Sequence, residues 1–98
     1  MEYGYEEKYD LLGIIVKDEF EFAHSLELKS GFIVDIDKDN EICQIQVLGW
    51  AQRFQIPKPQ VRIMEIEPII EYGDYCCKVT VRGKLGVKEY KISGEIYL

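Results

Sequence analysis

Three aspartates at alternate positions, Asp35, Asp37 and Asp39, are the residues of this chain whose type and spacing look most like chemistry. They fall at the first, third and fifth places of a calcium loop, with Ile42 where such loops carry an apolar residue. Carboxylates so spaced can hold a hard cation through oxygen. The loop pattern is incomplete, because its sixth place is Asn40 rather than glycine and its twelfth is Gln46 rather than a bidentate glutamate. The stretch therefore reads first as the acidic turn of a hairpin. A weak calcium or small-ligand site over residues 35–41, with Asp35, Asp37 and Asp39 as metal ligands, is the alternative.

The other reactive side chains are sparse. His24 is the only histidine, and the three cysteines are Cys43, Cys76 and Cys77. A thiolate nucleophile needs a base beside it, and no flanked nucleophile motif is present. The cysteines lack the paired spacing of a zinc site. Gly83-Lys84-Leu85-Gly86 has the glycines of a phosphate loop without its full spacing, and reads as a hairpin loop. Lys78, Thr80 and Arg82 form a short basic stripe, near Lys88 and Lys91, with Tyr72, Tyr75 and Tyr97 able to interleave. Cross-strand pairing with Glu89 and Glu95 is the reading preferred over nucleic acid. Trp50 and Phe54, four apart, either pack a short helix onto a sheet or anchor a partner.

Charge narrows the partners. The 98 residues carry a formal charge of −6, and 47% of them are hydrophobic, a globular profile. Twelve of the acids and only four of the bases lie in residues 1–41, whereas residues 73–98 hold five bases and three acids. An acidic front and a mildly basic back suit contacts between copies of one chain, not the wrapping of a phosphate backbone. No run is long and apolar enough for a membrane span. The acidic N-terminal stretch has no apolar core of a signal peptide, and the odd cysteine count argues against a disulfide framework. The expectation is a cytoplasmic protein without a membrane or nucleic-acid partner.

The elements that must place these residues are mostly strands. Residues 11–16 are apolar throughout, as in a central strand. Residues 20–28 alternate, with Phe20, Phe22, His24, Leu26 and Leu28 on one face. That puts His24 on an apolar face, in a core or an interface. Phe32, Val34 and Ile36 face away from Asp35 and Asp37, and Cys43, Ile45 and Val47 face away from Gln44 and Gln46. The hairpin of residues 31–50 is thus the piece that the rest is organised around. A helix over residues 50–55 follows, stopped by Pro57-Lys58-Pro59. Pro68 marks the strand of residues 61–72 as an edge or a bulge. Two further strands, at residues 75–82 and 87–98, complete the chain.

The stretch SGFIVDIDKDNEICQIQVLGWAQRF resembles a small prokaryotic family, domain of unknown function 2283. Val34-Asp35-Ile36-Asp37 and Ile45-Gln46-Val47-Leu48 stand where that family has an aspartate-bearing strand and the strand after an acidic turn. Asn40 and Gln44 stand where it has glycines. The resemblance covers about the first half of the chain, and implies a β-rich fold with no activity attached.

Together these readings predict a single mainly-β domain over residues 1–98. It is an antiparallel sheet, meander or roll, of about seven strands with one short helix; the alternative is α+β. Its expected work is that of a non-enzymatic interaction or oligomerisation module, a homodimer, with Trp50 and Phe54 as interface candidates.

Overall fold

The computed structural model describes residues 2–97. It is mainly β, in two antiparallel sheets of five and three strands. The chain divides into two compact units, Met1–Arg62 and Ile63–Leu98. The division falls just past the Pro57-Lys58-Pro59 segment that the sequence singles out.

In the first unit β1 (Glu2–Glu6) and β2 (Leu11–Ile15) are joined by a 3-10 turn, Glu7–Tyr9. β3 (Phe22–Lys29), β4 (Phe32–Asp37) and β5 (Ile42–Leu48) form a meander whose last strand returns to lie beside β2. The order is β1-β2-β5-β4-β3, so the hairpin β4–β5 occupies the middle of the sheet. Its alternation is the cause. Phe32, Val34, Ile45 and Val47 are fully buried, and with Leu12 and Ile14 they make the unit's core. Gly31 turns β3 into β4 at a φ of 77°, and its carbonyl accepts the Leu48 amide at 2.7 Å. A Cβ there would meet the Leu48 backbone at 3.2 Å, so both the dihedral and the close approach call for glycine.

α1 (Trp50–Phe54) follows β5 and is one residue shorter than the spacing predicts. It ends in a Schellman turn. Gln55 is left-handed, its amide reaches the Gln52 carbonyl, and the Ile56 amide reaches the Ala51 carbonyl at 2.9 Å. Pro57-Lys58-Pro59 does not simply end helical structure, since α2 (Lys58–Val61) begins there. Proline fits the first turn of a helix, where its missing amide has no partner to lose.

The second unit is a three-stranded meander: β6 (Glu65–Tyr72), β7 (Cys76–Leu85) and β8 (Lys88–Tyr97). Pro68 lies in β6, an edge strand, as expected of a residue that cannot donate to a ladder. Eight strands are therefore present among the described residues, where about seven were expected. The loop expected at residues 83–86 is shorter. β7 runs on through a buried Gly83 to Leu85, which pairs with Lys88, and only Gly86 and Val87 make the turn. Gly86 has a φ of 63°, which suits the first central residue of a tight type II′ hairpin.

Candidate functional site

The expected cation ligands do not converge as a set. Two residues along a strand span about 6.6 Å, and Asp35 and Asp37 each turn to partners of their own. Asp35 is buried, accepting the Ser25 hydroxyl at 2.6 Å on one oxygen and the Gln46 amide at 3.1 Å on the other. Its partners are the cross-strand residue of β3 and a side chain of β5.

Asp37 lies where β4 enters the turn. One of its carboxylate oxygens accepts the amides of Asp39 and Glu41, both at 3.0 Å. The other takes the Lys17 ammonium at 2.6 Å. Asn40 closes the turn in the left-handed region at a φ of 62°, as short polar side chains allow. The acids that the turn does gather are Asp37, Asp39 and Glu41, with one ligand oxygen from each inside a 4.8 Å cluster. Lys17 also reaches Glu41 at 3.1 Å. The Lys17 ammonium, and after it the Glu41 amide, hold the Asp37 carboxyl below the ordinary aspartate range. In turn Asp37 and Glu41 keep the ammonium charged well above the usual lysine value. The cluster thus carries a cation of its own, the lysine.

A third buried carboxylate has no counterpart among the sequence candidates. Asp10 follows the 3-10 turn in a left-handed conformation and is 6% exposed. It accepts the Tyr5 hydroxyl at 2.5 Å, the Ala51 amide at 2.9 Å and the Gln52 amide at 3.0 Å. Its carbonyl accepts the Gly49 amide at 2.8 Å. The helix α1 starts at Gly49, which has no side chain to cap it, and Asp10 supplies the cap from 41 residues away. Burial alone would push this carboxyl up. The Tyr5 hydroxyl and the two helix amides outweigh it and leave Asp10 below the ordinary value. Burial and the Asp10 bond raise the Tyr5 phenol. The one sequence signal for this cap is indirect: a helix that opens on glycine needs an acceptor from elsewhere.

Two of the three thiols are held back by burial. Burial pushes the Cys43 and Cys77 thiols up, away from the thiolate that attacks or ligates. Cys43 donates to the Asp35 carbonyl at 3.3 Å. His24 does not lie in a core; it is exposed on the edge strand β3. Trp50 is fully buried, its ring meeting that of half-buried Phe54 edge-on at 4.8 Å. That is the geometry of a helix packed inward. An open hollow of about 640 Å³ is lined by Glu27, Ser30, Leu48, Gln52 and Arg53 among others. Arg53 spends its guanidinium there on the carbonyls of Ser30 and Leu48.

On the face of the second unit's sheet that carries Lys78, Thr80 and Arg82, the basic stripe is interleaved with acids. Arg82 bonds Glu67 and lies 3.8 Å from Glu89, and Lys91 lies 3.3 Å from Glu89. Thr80 and Ser93 share a hydroxyl hydrogen bond at 2.8 Å. The pairing expected with Glu89 is present, and Glu95 lies opposite Lys78 in the register.

No family model, curated protein or solved structure matches this chain. The site's chemistry must therefore be argued from its own residues.

Proposed function

We propose that the protein is a non-enzymatic self-association module, a homodimer working in the cytoplasm. One observation carries this reading: neither sheet is a closed barrel, so β1, β3, β6 and β8 all end as edge strands. An edge presents backbone donors and acceptors to whatever strand comes next. The buried thiols of Cys43 and Cys77 and a lysine already seated in the acidic cluster add nothing that favours catalysis. Free cysteines, with no disulfide among the described residues, agree with a reducing compartment. The resemblance to domain of unknown function 2283 brings a fold and no reaction, and fits the same reading. Light scattering on the purified protein should return twice the chain mass. A single-chain mass held up to high concentration would overturn the proposal.

A second reading has one observation in its favour, the Asp37, Asp39 and Glu41 cluster. A calcium ion there would have to displace the Lys17 ammonium. Titrating calcium into a Lys17→Ala variant should then move the amide resonances of residues 37–41 at lower metal than in the parent. Flat resonances in both proteins at millimolar calcium would end this reading.

A further inference from the structure

The four sheet edges are not equally open. β1 is five residues long. β6 carries Pro68, and β3 shifts register twice against β4, between Phe22 and His24 and again between Glu27 and Lys29. Short length, proline and bulges each blunt an edge, and so do charged side chains. β8 has none of the first three, and its charges, Lys88, Glu89, Lys91 and Glu95, are of both signs. It is ten residues long, holds one unbroken register against β7, and contains no proline.

We infer that β8 is the dimer edge: it pairs antiparallel with β8 of a second copy about a two-fold axis at Ser93, joining two three-stranded sheets into one of six. This rests on the self-association reading above and names the surface that does it. The occupant follows from pattern and charge. A two-fold axis perpendicular to the sheet keeps each side chain on its own face, so the axis must pass through a residue and not between two. Centring on Lys91, Ile92, Ser93 or Gly94 uses most of the strand. At Lys91 the two Lys91 ammoniums oppose each other. At Ile92, Glu89 opposes the partner's Glu95. At Gly94, Lys91 meets the partner's Tyr97 and no charge is matched.

At Ser93 alone of these four does a charge meet its opposite. Lys91 opposes the partner's Glu95 and Glu89 opposes the partner's Tyr97, each twice by symmetry. On the other face Tyr90 opposes the partner's Ile96 and Ile92 opposes the partner's Gly94. Within the chain Ile92 is buried, and the charged face of the strand is the open one. Lys91, Glu95 and Tyr97 are exposed, and Tyr97 donates its hydroxyl to Glu95 at 2.9 Å.

The test exploits the symmetry. In a Lys91→Glu variant, or a Glu95→Lys variant, two attractive pairs become repulsive, and dimer affinity should fall roughly ten- to a hundredfold. Mixing the two variants should restore association, because the mixed dimer matches both pairs again. Ser93→Cys should oxidise to a covalent dimer beyond the background given by the parent's own thiols, and this readout does not depend on the charge variants folding. If the parent is a monomer, the self-association reading falls and this inference with it. If the parent is a dimer but the single charge variants dimerise unchanged and Ser93→Cys does not cross-link, only the β8 edge is overturned. In that case self-association stands and uses another surface.

Discussion

Replacing Asp10 by alanine should cost about 3–5 kcal/mol of folding stability, measured by denaturant unfolding with Trp50 fluorescence as the probe. The figure follows from what the carboxylate holds. Removing it strands a buried tyrosine hydroxyl and two helix amides together, and a lost cap alone costs about 1 kcal/mol. Alanine must also adopt the left-handed dihedral that aspartate tolerates, with φ at 50°. Against a typical stability of about 5–15 kcal/mol this is a large share. Asp10→Asn keeps an acceptor and tolerates the dihedral, so its cost should be about 1–2 kcal/mol. An alanine variant as stable as the parent would show that the cap is not a structural tie.

The same residue predicts a pH dependence. Asp10 has a folded pKa below its ordinary value of 3.8. Its contribution is therefore whole above that value, and is lost as pH falls through the depressed folded pKa. Tyr5 runs the other way. Its pKa is raised, so its contribution is whole below the ordinary phenol value of 10 and is lost as pH climbs from there through the raised folded value. Asp10→Asn should flatten the acid limb of the stability profile, though not abolish it, because Asp37 also titrates low. Tyr5→Phe should flatten the alkaline limb. Unchanged slopes in both variants would mean that the pair is not linked to folding.

What the sequence makes legible here is local. Alternation over Phe32, Val34 and Ile36, an acidic turn, and alternation over Cys43, Ile45 and Val47 are enough to place a hairpin at the centre. Pro68 is enough to narrow its strand to an edge or a bulge, because its missing amide cannot join a ladder, and the structure makes it an edge. Where the reading departs from the structure, a partner distant in sequence decides. Gly83 looks like part of a loop by itself. It is a strand residue because Ile66 and Tyr90 flank it on both sides. The Asp10 cap is invisible to any window along the chain, since its amides lie 41 and 42 residues away. The acidic spacing of Asp35, Asp37 and Asp39 suggests a common ligand, yet hydrogen bonds to Ser25 and Lys17 send the first two to different partners.

The sharpest case is a pair of phenylalanines that alternation cannot tell apart. Phe22 and Phe32 each sit on an apolar face in the sequence, but Phe22 is 55% exposed and Phe32 is fully buried. Strand order is the reason. Phe32 belongs to β4, which has neighbours on both sides, whereas Phe22 belongs to β3 at the margin, beside the first of its register shifts. Phe32→Ala should therefore cost about 3–5 kcal/mol, the sum of lost transfer energy and a cavity that a two-sided strand cannot collapse. Phe22→Ala should stay within about 0.5 kcal/mol, as at most surface positions. Equal losses would mean that β3 is covered in solution, and equal dimer affinity would then have to be checked in the Phe22 variant. A Phe22→Ala protein that is destabilised and monomeric would move the dimer contact from β8 to β3. One that keeps both its stability and its dimer mass leaves the long, unbroken edge of β8 as the surface where the second copy joins.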